Sequence, residues 1–175
     1  RWFDSNRAHS EELFRATRYA MDSNANKKKI IVAVSGGFDP VHTGHVSLFE
    51  KAKKLGDELV VIVNNDNWLK KKKGYVFMSE NERAEIIRAF RAVDGVIITS
   101  HKEDDEDVSV CRELEILKPD IFVNAGDRTK ENIPEVPACE KINCKMVFGI
   151  CPAGKNQSSS WLLQRFFETM KKIGN

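Results

Sequence analysis

Ile30-Ile31-Val32-Ala33-Val34-Ser35-Gly36-Gly37-Phe38-Asp39-Pro40-Val41-His42-Thr43-Gly44-His45 is the stretch that decides the fold. Ile30 to Val34 is a short, mostly β-branched apolar run, as expected of a strand buried on both faces of a parallel sheet. Ser35-Gly36-Gly37 reads as a turn. Gly44 to Leu55 carries Val46, Leu48, Phe49 and Ala52 at helical spacing and predicts a helix. In sheets built from such strand–turn–helix units, ligands bind beyond the carboxyl ends of the strands. Gly36 and Gly37 remove side chains where a phosphate would approach the backbone. The helix N-terminus adds free N–H groups and the positive end of a dipole. His42 and His45, three positions apart, share one face of its first turn, and Gly44 between them keeps that face open. Two imidazoles so placed suit a triphosphate. The absence of a P-loop and of a GxGxxG argues against ordinary ATPases and nicotinamide enzymes.

Outward from this stretch, Leu59 to Val63, Val96 to Ile98, Ile121 to Val123 and Lys145 to Phe148 predict four further strands. Ser79 opens a helix through about Ala92, with Ser79-Glu80-Asn81-Glu82 as a capping box. Val108 to Leu117, a short segment near Cys139 and Ser158 to Ile173 supply the other helices. Asn64 to Lys73 reads as a polar loop carrying the run Lys70 to Lys73. The alternation predicts an α/β fold: a doubly wound, Rossmann-like, five-stranded parallel sheet with helices on both faces. Residues 1–26 read as a separate extension, with a helix from Ser10 to about Met21 followed by a linker; residues 27–175 form the single main domain.

The 175 residues are 41% apolar, enough for a core, and 28 Lys+Arg against 26 Asp+Glu leave a net charge of +2. Global attraction to nucleic acid is therefore not implied, and any anion site must be local. An RNA-binding role for the lysine run lacks the aromatic stacking platform it would need. Cys111, Cys139, Cys144 and Cys151 fit no zinc spacing and read as reduced thiols of a cytoplasmic protein. The first residues lack the apolar segment of a secretory signal, and no apolar run is long enough to span a bilayer. His42 and His45 have no obvious further metal ligands, so no protein-held metal site is expected.

Gly36 to His45, GGFDPVHTGH, resembles the (T/G)xFDxxHxGH motif of the cytidylyltransferase-like nucleotidyltransferases. That group includes glycerol-3-phosphate, phosphocholine and phosphoethanolamine cytidylyltransferases and heptose-1-phosphate adenylyltransferases. The likeness spans about Lys29 to Lys172. The HxGH element also occurs in class I aminoacyl-tRNA synthetases, whose KMSKS loop is missing here. Asn65-Asp66-Asn67-Trp68 with the lysine run, Asn81-Glu82-Arg83 with Arg91-Ala92-Val93-Asp94, and Lys118-Pro119-Asp120 with Gly126-Asp127 resemble further family segments. Asn156-Gln157-Ser158-Ser159-Ser160 stands where the family has G(I/C)STT, but Asn156 and Gln157 depart from that pattern.

The resemblance implies nucleotidyl transfer: an acceptor phosphate attacks the α-phosphorus of ATP or CTP and pyrophosphate leaves. It casts His42, His45, Lys70 and Lys72 as catalytic. Gly36, Gly37, Phe38, Asp39, Gly44, Lys155, Gln157, Ser158, Ser159 and Ser160 would bind the nucleotide. Arg83, Asp66, Asp127 and Arg128 would bind the acceptor, while Arg91 serves either the site or a structural pair with Asp94. Mg²⁺ is expected as the companion of the triphosphate, and a homodimer as the assembly. Among acceptors, the Lys118 to Asn132 segment favours a sugar 1-phosphate with ATP. Glycerol phosphate or phosphocholine with CTP, and flavin mononucleotide, are the alternatives. A nucleotide-binding sensor without turnover is the reading from another class.

Overall fold

β1 (Ile31–Gly36) takes the centre of the sheet because its run is apolar on both faces: Val32, Ala33 and Val34 are fully buried. The computed structural model describes residues 28–124, 133–150 and 158–173. Around β1 stand β2 (Glu58–Val63), β3 (Gly95–Ile98), β4 (Ile121–Asn124) and β5 (Lys145–Phe148), all parallel, in the order β3-β2-β1-β4-β5. Val34 of β1 lies level with Val61 of β2 and Val123 of β4. The order reverses at β1, so the crevice between the carboxyl ends of β1 and β4 is the switch point where such sheets take ligands. Asp120 secures the lower end: its carboxylate accepts the Ile31 N–H at 2.9 Å and pairs with Lys28.

Alternate residues of each strand feed two cores. Val32, Val34, Val61, Val63 and Val123 pack with Leu48, Phe49 and Ala52 of α1 (Thr43–Lys53) and Ile87 of α3 (Glu80–Arg88). Ala33, Val60, Ile62 and Phe122 pack instead with Leu114 and Leu117 of α4 (Cys111–Leu117) and Cys139 of α5 (Val136–Lys141). α6 (Ser159–Ile173) buries Ser159 and Leu163, while Trp161, Phe166, Phe167, Met170 and Ile173 are exposed. No described helix is long and apolar enough to cross a membrane.

β1 runs on through Ser35 and Gly36, which the sequence reads as a turn, and three further local readings change. Asp66–Lys73 is a helix, α2, not a loop. Asn65 caps it, its Oδ1 accepting the Trp68 N–H at 3.0 Å, and Gly74 ends it at φ 78°. Leu69 anchors it in the interior. The four lysines fill its last turn, where cations meet the negative end of the helix dipole. Second, α3 ends at Arg88, before the expected Ala92. Phe90 turns in instead to meet Phe49, ring centroids 5.5 Å apart. Arg91 is therefore off the helix and exposed, and Asp94 pairs with Lys53 rather than with Arg91. Third, α4 starts at Cys111, because the Asp107 carboxylate holds the Ser109 N–H in a turn. The capping box Ser79–Glu82 forms as expected. The extension, residues 1–26, lies outside the described residues.

Candidate active site

His42 and His45 cap the helix they begin. His42 is the N-cap of α1, and its Nδ1 accepts the Gly44 N–H at 3.1 Å. His45 reaches back, its Nδ1 accepting the His42 N–H at 3.2 Å. This is a capping box in which imidazoles replace the usual hydroxyl and carboxamide. The rings stack with centroids 3.7 Å apart, and the edge of Phe38 closes on His45 at 4.9 Å. Because each Nδ1 accepts a hydrogen bond, each neutral ring carries its proton on Nε2. Burial holds the His45 pKa down to about 3, helped by the charges of His42 and Lys73. Burial, then Lys73, also lowers His42. The pair is thus two neutral Nε2–H donors at neutral pH.

The three glycines serve neighbouring side chains. A Cβ on Gly36 would meet the Phe38 ring at 2.9 Å. One on Gly37 would meet Leu69 at 2.9 Å, and one on Gly44 would meet the His42 ring at 2.8 Å. Gly44 is therefore required by the cap itself, which corrects its reading as a gap left for ligand. Phe38, at φ 50° and buried, is a packing residue beneath the histidines. Asp39 is fully buried, and its two oxygens accept the N–H groups of Phe77 and Met78, each at 2.8 Å. It fastens the segment before α3 to the motif instead of facing a nucleotide.

Arg83 also departs from its expected role. With no exposed surface, it donates to the carbonyls of Met78 (2.9 Å), Gly37 (2.7 Å) and Asn64 (2.6 Å) and to Asp66 Oδ1 (2.6 Å). The expected acceptor-binding pair Arg83 and Asp66 is thus an internal brace joining β1, β2, α2 and α3. Lys70 and Lys72 lie on the exposed side of α2, and Lys71 donates to the Asp105 carbonyl. Lys73 turns toward the motif: its Nζ is 3.8 Å from where a Gly37 Cβ would stand, beside the Trp68 ring edge at 3.7 Å. It makes no hydrogen bond or salt bridge among the described residues. Burial lowers its pKa, with Asp39 opposing and Arg83 adding to the shift. Among the described residues Lys73 is the lysine whose charge acts on both histidines, and the sequence reading passed it over; its signal was its place against the helix-ending Gly74.

α6 completes this side. Ser159 Oγ donates to the Pro40 carbonyl at 2.9 Å, and Ser158 Oγ accepts the Trp161 N–H at 3.1 Å. The N-termini of α1 and α6 therefore meet beside the cis Asp39–Pro40 bond. Ser160 is exposed. Lys155, Gln157, Asp127 and Arg128 lie outside the described residues. Among the described residues no three His, Cys, Asp or Glu side chains form a metal cage.

A family model described as cytidylyltransferase-like matches residues 33–160. An FAD synthase of Pyrococcus horikoshii is 42% identical over 102 residues, 58% of this chain and 66% of that protein. A bifunctional protein HldE of Syntrophotalea carbinolica is 35% identical over 123 residues, 69% of this chain and 24% of that one. The chain thus spans just under two thirds of the first relative and about a quarter of the second. A solved lipopolysaccharide core biosynthesis protein of Thermoplasma volcanium superposes with a TM-score of 0.55 at 31% identity, covering 69% of this chain and 96% of that one. The match over most of the domain, on a five-stranded parallel sheet with paired histidines at its switch point, places the chain in the cytidylyltransferase-like family of nucleotidyltransferases.

Proposed function

We propose that this domain transfers the adenylyl group of ATP to a phosphorylated small molecule, with a sugar 1-phosphate as the favoured acceptor. The observation that carries the reading is the pair of neutral imidazoles held as Nε2–H donors at a helix N-terminus. Lys73 stands beside them as a half-buried cation without a hydrogen-bonded partner among the described residues. An acceptor phosphate oxygen attacks the α-phosphorus in line; that P–O bond forms as the bond to the pyrophosphate oxygen breaks. A phosphate monoester is nucleophilic at neutral pH, so no base is needed, and catalysis is positioning and charge stabilisation. The two Nε2–H groups, Lys73 and the converging N-termini of α1 and α6 receive the charge that develops on the leaving group. Mg²⁺ bound to the triphosphate would offset its charge, with few ligands needed from the protein. A homodimer is the proposed assembly.

The sugar acceptor is supported by the Lys118 to Asn132 segment, which resembles that of the heptose-1-phosphate adenylyltransferases. A second reading takes flavin mononucleotide as acceptor, because FAD synthases match at 42% and 40% identity. The test is pyrophosphate release from ATP and CTP, each against a sugar 1-phosphate, flavin mononucleotide, glycerol phosphate and phosphocholine. Turnover confined to ATP with the sugar phosphate is expected. Turnover with flavin mononucleotide alone selects the second reading, and a CTP requirement overturns the choice of nucleotide. No release with any pair overturns nucleotidyl transfer.

A further inference from the structure

Among the described residues, two buried amides at the top of the sheet have no partner for one polar atom each. Asn64, directly after β2, leaves its Oδ1 unpaired, and Asn124, the last residue of β4, leaves its Nδ2 unpaired. Both residues are 4% exposed. Strand alternation puts them on one face. Val60 and Ile62 pack against α4 and α5, so Asn64 follows them; Phe122 packs there too, so Asn124 follows it. That face is opposite the one that carries α1 and its histidines. β2 and β4 flank β1, and Asn64 stands level with Gly37 while Asn124 is level with Ser35, so the two amides are about 12 Å apart on either side of β1.

A buried polar atom without a partner destabilises a free protein by about 1–3 kcal/mol, and sites built for a ligand are where such atoms persist. One of these atoms is an acceptor and the other a donor, and neither carries charge. Hydroxyls carried on one ring satisfy both, because each donates and accepts whichever way the amide is turned. We infer that Asn64 and Asn124 form a subsite for an uncharged, hydroxyl-bearing ring of the bound substrate, across the crevice from the phosphate-handling histidines. The ring belongs either to the sugar of the acceptor or to the ribose of the nucleotide. The assignment of that ring to a substrate rests on the nucleotidyl-transfer reading above.

The experiment uses Asn124→Leu and, as a variant that adds no bulk, Asn124→Ala. Thermal melting is followed alone and with ATP, with CTP, with a sugar 1-phosphate and with flavin mononucleotide, beside pyrophosphate release by the parent chain. An amide kept for a ligand gives a clear pattern. The free Leu variant melts at the parent temperature or about 2–4 °C above it, and the upward shift produced by one ligand class shrinks with KM for that ligand rising about tenfold. Loss with ATP and CTP assigns the ribose; loss with the sugar phosphate or flavin mononucleotide alone assigns the acceptor. Both free variants melting well below the parent, with every ligand shift retained, means that the amide is structural and overturns the subsite. If the parent releases no pyrophosphate with any pair, the nucleotidyl reading falls and the assignment falls with it. Release by the parent with unchanged KM values in both variants overturns the subsite alone.

Discussion

At the scale of single residues, the site turns on protons held in place by the backbone. The Nδ1 atoms of His42 and His45 are engaged by N–H groups, so only Nε2 is left to donate. Replacing either histidine by alanine is expected to lower kcat by on the order of a hundredfold or more. ATP affinity should change far less, as steady-state kinetics beside equilibrium nucleotide binding would show. Near-normal kcat in both variants would remove the pair from the reaction. Lys73 makes a second, sharper case. Lys73→Met should cost at least tenfold in kcat/KM, whereas Lys70→Met and Lys72→Met should stay within about twofold, because those two ammonium groups face solvent. The reverse ranking would restore the lysines that the sequence pattern first suggested. Since burial depresses the Lys73 pKa, the alkaline loss of activity should set in below the ordinary lysine value of 10.5. His42 and His45, neutral already, should add no limb between pH 6.5 and 8.

At the scale of elements, what the sequence shows depends on whether a neighbour in the chain or a distant side chain decides the conformation. All five strands and the helix of the histidine motif were legible, because β-branched runs and helical spacing are local properties. α2 was not, although Asn65 and Gly74 bracket it, because four adjacent lysines look like a solvated stretch. The helix dipole and the buried Leu69 reverse that reading. The glycines were legible as special, yet their reason was not. The atoms that exclude a Cβ belong to Phe38, Leu69 and His42, and only the folded chain brings the second of these to Gly37. Arg83 misled for the same cause: its four partners are Gly37, Asn64, Asp66 and Met78, drawn from separate elements. Arg83→Met would leave three carbonyls and a carboxylate without their donor. It is expected to destabilise by about 3 kcal/mol or more, which is roughly a 6–12 °C fall in melting temperature. A shift under 2 °C would show that the brace is not structural.

At the scale of the whole molecule, His45 links folding to pH. Its folded pKa of about 3 lies below the unfolded value near 6.5, so above pH 6.5 neither state binds the proton and nothing is lost. Below 6.5 the unfolded chain protonates and the folded one does not, so stability falls progressively as pH drops toward 3. Melting temperatures at pH 7, 5.5 and 4.5 should decline in that order. His45→Gln, which keeps an acceptor for the His42 N–H, should flatten the decline; an equal slope would assign the acid sensitivity elsewhere. The double duty of these two rings has a consequence for descent. A lineage that abandons the reaction cannot simply let both histidines drift, because the first helix of the domain would lose its cap. Such a descendant should carry aspartate at position 42 and glutamate at position 45, side chains that seal a helix as well as imidazoles do and repel a phosphate. Inactive relatives would then be recognised by an ordinary capping box written over the old motif, and not by random decay.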